Sequence, residues 1–141
     1  MFERIKYRYR LWKLLRSKKR TQKTYDRAIK EVKSKEDEQQ IISEAIHFIG
    51  EEDLWIRELH TNYLCYVARR LIVPIPEFKD QSTWEQVRSL DRYILTPSGI
   101  YELKKLIRIE QKERREIVFS WITLLIGLLG VLIGVISVLK E

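Results

Sequence analysis

Cysteine and histidine are scarce in this sequence, with only Cys65, His47 and His60 among 141 residues. A lone cysteine excludes a disulfide within the chain and is typical of a reducing compartment. No group of cysteines and histidines has the spacing of metal ligands, so the sequence predicts no metal site built within one chain.

Motifs that carry catalysis or bind cofactors are missing as well. The chain has no P-loop, GxGxxG, GxSxG, HExxH or CxxC motif. A catalytic pair of Cys65 and His60 would need a third orienting group and an oxyanion site, and the sequence suggests neither. We therefore expect a protein that is not an enzyme and that uses no cofactor.

An apolar segment near the N-terminus is also absent, because residues 1–20 are basic throughout. This predicts that no secretory signal peptide is present. Residues 1–33 carry thirteen Lys and Arg against Glu3, Asp26 and Glu31, a net charge of +10, whereas the whole chain has +7. A basic arm on a near-neutral remainder indicates an anionic partner, either a membrane surface or nucleic acid, of which nucleic acid is the less favoured.

What the sequence does have is one long apolar run, IVFSWITLLIGLLGVLIGVISVL, at residues 117–139. It contains no charge, and as a helix it would reach roughly 35 Å, enough to cross a hydrocarbon core of about 30 Å. A chain of this size has too little surface to cover such a helix on all sides. Because only Lys140 and Glu141 follow it, we interpret the chain as a tail-anchored, single-span membrane protein.

Basic residues are concentrated on one side of this run, with only Lys140 after it. Those before it are Lys104, Lys105, Arg108, Lys112, Arg114 and Arg115. The positive-inside rule then predicts that the N-terminal bulk is cytoplasmic. We expect Trp121 to act as an aromatic anchor at the interface.

Small and weakly polar residues of the run recur at spacings of three and four and so fall on one helical stripe. They are Ser120, Thr123, Gly127, Gly130, Gly134 and Ser137. Small residues let two membrane helices approach closely, so this stripe predicts helix–helix packing in a homo-oligomer. The repeat favours a left-handed pair, whereas the GxxxG spacing of Gly130 and Gly134 alone favours a right-handed crossing.

The N-terminal segment is predicted to form a basic amphipathic helix. Its apolar face comprises Phe2, Ile5, Tyr9 and Trp12, and its basic residues include Arg4, Arg8, Lys13 and Arg16. Aromatic residues flanked by basic ones are typical of helices that lie on anionic lipid headgroups. Packing of this helix within the protein or against another subunit is the alternative.

Between these two ends the pattern predicts a mainly α-helical protein with at most a short β element. We expect helices over 37–49 and 53–71 separated by a break at Gly50, then an extended segment at Pro74 and Pro76. The residues Ser82-Thr-Trp-Glu85 form a capping-box pattern that predicts a short helix to about Leu90.

The next stretch predicts a β-type run at residues 93–95, followed by Thr96 as helix N-cap and Pro97 at the first helical position. No helix breaker then occurs before the apolar run, which predicts one helix from Pro97 to Leu139. The predicted divisions are a basic arm (1–35), a cytosolic helical domain (36–95), a charged juxtamembrane helix (96–116) and a transmembrane helix (117–139).

Tyr93-x-Leu95-Thr96-Pro97-Ser98-Gly99 resembles the join between the wing strand and the following helix of bacterial winged-helix domains. With three helices before it, such a domain would imply nucleic-acid binding. The last 50 residues also resemble a loose group of small bacterial membrane proteins with an LTxxG helix start, a charged helix and a glycine-containing span. This second resemblance implies a bacterial inner-membrane location and carries no activity.

The function favoured by these patterns is an interaction or regulatory module at the cytoplasmic face of the membrane. Its expected partners are the lipid bilayer, anionic headgroups, further copies of the chain and a protein of a membrane complex. The first alternative is an oligomeric, membrane-perturbing effector of the defence or toxin type. The second is a membrane-tethered winged-helix protein that binds nucleic acid.

Overall fold

A computed structural model of the protein describes residues 2–32, 34–87 and 91–139, with side chains described as far as Ile133. The described elements are helices α1 (Phe2–Glu31) and α2 (Lys35–Leu71), strands β1 (Trp84–Val87) and β2 (Arg92–Leu95), and helix α3 (Pro97–Leu139). The protein is therefore mainly α-helical with a short two-stranded sheet. At this level the predicted fold class is confirmed.

Helices α1 and α2 form an antiparallel hairpin. Along α1, Tyr7 stacks on Tyr63 and Lys18 binds Asp53. Further along, Tyr25 stacks on Phe48. Later residues of α1 therefore contact earlier residues of α2, as in an antiparallel pair. The half-buried positions of α1 alternate in steps of four and three along the helix, with Ile29 added beside the last of them; the alternating positions are Tyr7, Leu11, Leu14, Lys18, Thr21, Tyr25 and Ala28. This is the spacing of a coiled-coil seam, which we call the α1–α2 seam.

Helix α2 runs unbroken through Gly50, so the predicted break at this residue is wrong. Gly50 is exposed and has open space beside it. Two of the acidic residues that follow it, Glu52 and Asp53, bind α1 instead of starting a new helix. Glu52 accepts hydrogen bonds from Ser17 and Thr21. These contacts across the seam help to offset the roughly 1 kcal/mol that a glycine costs inside a helix.

Helix α2 ends at Ile72, which adopts the left-handed conformation with φ 62°. Its backbone N–H caps the helix on the carbonyls of Ala68 and Arg69. The chain then continues without helix or strand past Pro74 and Pro76, as the sequence predicts. Asp80 shapes the following turn by accepting hydrogen bonds from Ser82.

Residues 84–87 form strand β1, so the helix predicted from the capping-box pattern is wrong here. Strand β1 pairs antiparallel with β2, with Trp84 opposite Leu95 and Val87 opposite Arg92. The indole nitrogen of Trp84 donates to the carbonyl of Pro76 at 3.0 Å. This pairing also leaves only two described helices, α1 and α2, ahead of the hairpin, where the winged-helix resemblance implies three.

The hydrophobic core lies where the end of α2, the two strands β1 and β2, and the start of α3 meet. Its buried members are Leu64, Ala68, Val73, Trp84, Leu95, Leu103 and Ile107. Two polar contacts of α2 hold the strands β1 and β2 against this core. Thr61 accepts a hydrogen bond from the Leu95 backbone N–H, and Arg57 binds Glu85. The core therefore holds the base of α3 rigidly on α2.

Helix α3 begins at Pro97, as predicted, and Thr96 caps it by accepting a hydrogen bond from the Gly99 backbone N–H at 3.1 Å. The helix continues for 43 residues to Leu139. Among the described helices, α3 alone is long and apolar enough to cross a membrane. Its most apolar 18-residue window has a mean hydropathy of 2.3, and none of that window is buried in the protein.

A basic groove as candidate functional site

The predicted apolar face of α1 lies on the side of the helix away from α2. Phe2 is 80% exposed and Trp12 is 54% exposed, with Ile5 and Tyr9 between these values. The guanidinium of Arg16 lies 5.2 Å from the centre of the Trp12 ring. The structure thus brings these residues together on one free surface, which is what the sequence predicts.

The basic residues expected on the same surface are divided among several places. Arg4 and Arg8 lie on the flank of α1 that faces α3. Lys13 lies beside a shallow hollow between α1 and α2 on the other flank. Arg16 lies over the Trp12 ring of the aromatic face itself.

A groove of about 870 Å³ lies between α1, the end of α2 and the lower part of α3. Glu3 is the one acidic residue that lines it. The basic residues that line it come from all three helices and are Arg4, Arg8, Arg70, Lys104, Arg108 and Arg114. We call this cavity the basic groove.

Tyrosines and aliphatic side chains form the floor of the basic groove. Tyr7 stacks on Tyr63 with ring centres 3.8 Å apart, and Leu64 and Ile107 lie buried beneath them. The Tyr7 hydroxyl lies 2.7 Å from Nδ1 of His60, behind the stack. The basic groove therefore has a packed, partly apolar floor with basic side chains around its edge.

Burial sets the protonation of this tyrosine–histidine pair. It raises the pKa of Tyr7, and the neighbouring Tyr63 adds to the shift. Burial lowers the pKa of His60 below its ordinary value of 6.5, and the Lys104 cation adds to that shift. At neutral pH His60 is therefore uncharged, and its Nδ1 accepts the hydrogen bond that Tyr7 donates.

Most cations of the basic groove lack acidic partners. Within residues 2–32, 34–87 and 91–133, no salt bridge is formed by Arg4, Arg8, Arg70, Lys104 or Arg108. Several like charges in one cavity produce a positive potential that attracts anions. The basic groove is therefore an anion-attracting surface.

Arg114 is the exception among these cations, and it occupies the upper end of the groove. Its Nε lies 2.6 Å from a carboxylate oxygen of Glu110. Its Nη2 donates to the carbonyl of Leu71 at 2.9 Å, at the end of α2. Arg114 thus links α2 to α3 just below the apolar segment that begins at Ile117.

The small-residue stripe of α3 is exposed along its described part, as far as Gly130. Ser120 and Thr123 are exposed, and Gly127 and Gly130 have open space beside them. The Thr123 hydroxyl donates to the Phe119 carbonyl of its own helix at 3.0 Å. Trp121 is 64% exposed. Gly134 and Ser137 lie within α3, but their side-chain positions fall outside the described residues.

The groups that could carry chemistry elsewhere are few. No cluster of three His, Cys, Asp or Glu side chains that would suit a metal ion occurs in the described part of the chain. Cys65 is half-buried, and burial raises the pKa of its thiol, with Arg69 opposing that shift. The basic groove presents cations that can hold an anion in place.

The pattern of residues along the chain does not by itself predict the basic groove or the α1–α2 seam that supports it. The signal for the seam was present as the alternating spacing of Tyr7, Leu11, Leu14, Lys18 and Thr21. It was obscured because the exposed aromatic face repeats with a similar spacing on the opposite side of the same helix.

Comparison with protein-family models, with curated proteins and with solved structures found no match. The resemblances carried by residues 93–99 and by the last 50 residues therefore stay predictions.

Proposed function

We propose that the protein is a single-span membrane protein that acts as an interaction or regulatory module at the cytoplasmic face of a bacterial inner membrane. Helix α3 would cross the bilayer from about Ile117, with the α1–α2 hairpin on the cytoplasmic side. One observation carries the proposal: the most apolar window of α3 is wholly unburied although a folded body lies directly beneath it.

The energetics support a bilayer around this segment. Phe119, Leu124 and Leu128 are each more than half exposed, and removing one such side chain from water contributes about 1.5–3 kcal/mol. The described part of the segment has a dozen such side chains, and leaving them in water would cost far more than the stability of a small domain. The basic residues just below Ile117 then favour the cytoplasmic side of the membrane for the α1–α2 hairpin.

Self-association is the second part of the proposal. The exposed small-residue stripe would let two copies of α3 approach closely in the membrane. The Thr123 hydroxyl already has a partner in its own helix, so close packing at Gly127 and Gly130 supplies the contact. The outer face of α1, with Phe2 and Trp12, remains available for the lipid surface or for a partner protein.

Crosslinking of the intact protein in lipid nanodiscs, with native mass analysis, tests the self-association. Gly127→Ile and Gly130→Ile should each convert the oligomer to a smaller species, because a β-branched side chain would hold the helices apart. Leu129→Ile is the matched control, since Leu129 lies off the stripe, and it should leave the oligomer intact. An oligomer unchanged in both glycine variants would refute packing through this stripe.

A further inference from the structure

We propose that the basic groove binds the phosphate of an anionic phospholipid, with the acyl chains of that lipid lying along the apolar part of α3. The inference rests on the proposed function, because it requires α3 to be in a bilayer. It adds a defined lipid site, between three helices, to a general attraction for the membrane surface.

Charge complementarity is the first argument. Arg4, Arg8, Arg70, Lys104 and Arg108 meet in one cavity from three helices, and none of them has a salt-bridge partner among the described residues. Arginine binds phosphate through two parallel N–H donors, which makes it the preferred residue for this anion. Basic pockets between helices at the cytoplasmic face of membranes bind anionic headgroups in the same way.

The height of the groove relative to the apolar segment is the second argument. Arg114 lies three residues before Ile117, or about 5 Å along the helix, and Lys104 lies about 20 Å before it. The polar headgroup region on each side of a bilayer is about 5–8 Å thick. The upper end of the groove, at Arg114, thus reaches headgroup depth, whereas Lys104 lies deeper on the cytoplasmic side, where its charge would draw the phosphate away from the hydrocarbon core.

The third argument is the continuity of one face of α3. Lys104, Gln111 and Arg114 line the groove, and the same face continues one to two turns higher at Val118 and Trp121. Both of these side chains are more than half exposed. A lipid whose phosphate lies in the groove would therefore find an apolar surface for its chains directly above. A free phosphate ion would use only the lower part of this arrangement, which is why we commit to a lipid.

The floor of the groove supports a site of fixed shape. Tyr7 and Tyr63 are stacked, and Ile107 is buried beneath the rim. Because the backbone positions of α1, α2 and α3 are set by the seam and the core, the six cations stay near one another without an occupant. This preorganisation lowers the cost of ordering them around a phosphate.

The test uses the full-length protein in nanodiscs of phosphatidylcholine with and without phosphatidylglycerol, followed by native mass analysis of retained lipid. The double variant Lys104→Gln, Arg108→Gln removes two donors and should lower retention of phosphatidylglycerol by about tenfold or more. Arg70→Gln, on a different helix, should lower it in the same direction.

The matched control is the double variant Lys105→Gln, Arg115→Gln, which removes one Lys and one Arg from the same helix outside the groove lining. Since Arg115 lies nearer the membrane than either groove residue, diffuse surface attraction predicts at least as large a loss for the control. The groove predicts a change of less than about threefold for it. Circular dichroism spectra of all the variants check that each one is folded.

Three results would overturn the inference. Equal losses in the groove variant and the control would assign the preference to diffuse charge, and equal retention of both lipids would show that no anionic site exists. Full displacement of the lipid by inorganic phosphate would assign the groove to a soluble anion. Alkaline extraction of membranes separates this inference from the proposed function. A protein that resists extraction but shows no lipid preference refutes the site alone, whereas a protein that is extracted refutes both.

Discussion

Among single residues, Gly99 is the one whose missing side chain matters most. It lies in the first turn of α3, where the helix passes closely over the backbone of Thr83. A Cβ atom at this position would overlap the Thr83 carbonyl oxygen and would lie 3.1 Å from a methyl group of Leu95. The close approach lets Thr96 and Ser98 both donate hydrogen bonds to the carbonyl of Ser82.

Gly99→Ala should therefore destabilise the folded body by about 1–3 kcal/mol, because the contact involves backbone atoms that cannot move aside cheaply. Denaturant unfolding followed by circular dichroism measures this change. Gly50→Ala is the matched control, since Gly50 lies inside a helix with open space beside it. It should stabilise the protein by about 1 kcal/mol. Shifts of the same sign in both variants would contradict this account of Gly99.

For the helices and strands, the sequence predicts best where the signals are local. Helix α3 begins at Pro97 as predicted because the cap at Thr96 and the ring of Pro97 act within one turn. The capping-box pattern at residues 82–85 predicts a helix where strand β1 forms. The strand depends on pairing with β2, and no pattern within β1 itself shows that pairing. The continuity of α2 through Gly50 depends in the same way on contacts with α1, more than thirty residues distant.

The candidate site shows the same division between local and non-local information. The exposed aromatic face of α1 is a repeat within one helix, so its spacing alone predicts it. The basic groove takes its cations from three helices, and nothing in the spacing of Arg8, Arg70 and Arg108 along the chain brings them together. Only the packing of α1 on α2, and of α2 on α3, places them in one cavity.

The packing of α1 on α2 should depend on pH through His60. Burial and the Lys104 cation lower the pKa of His60, so the folded protein binds a proton on this ring less readily than the unfolded chain does. The unfolded chain then takes up more protons as the pH falls through about 6.5 and below, and the folded state loses stability there. Protonation also removes the Nδ1 acceptor that Tyr7 uses.

The free energy of unfolding should thus fall between about pH 7.5 and about pH 5.5 in the wild-type protein. His60→Gln should flatten the dependence in this range, because it removes the buried titrating ring. A pH dependence that persists fully in His60→Gln would show that another group causes it.

At the scale of the whole molecule, the protein combines three surfaces on one rigid frame. The apolar part of α3 is exposed, the basic groove lies directly below it, and the aromatic face of α1 points away from the α1–α2 seam. Arg114 connects the end of α2 to α3 between the first two surfaces. In the proposed membrane arrangement, a change at the bilayer would reach the α1–α2 hairpin through this short, packed connection.

We propose that α3 enters the bilayer at about Ile117, and cysteine accessibility measures this depth directly. Single cysteines are introduced as Glu113→Cys, Phe119→Cys, Leu124→Cys and Leu128→Cys in a Cys65→Ser background, and the full-length protein is reconstituted in lipid vesicles. A membrane-impermeant maleimide should label position 113 in molecules whose α1–α2 hairpin lies outside the vesicle. It should fail to label positions 119, 124 and 128 until detergent dissolves the bilayer. Labelling of positions 124 and 128 in intact vesicles at the rate of position 113 would contradict the account.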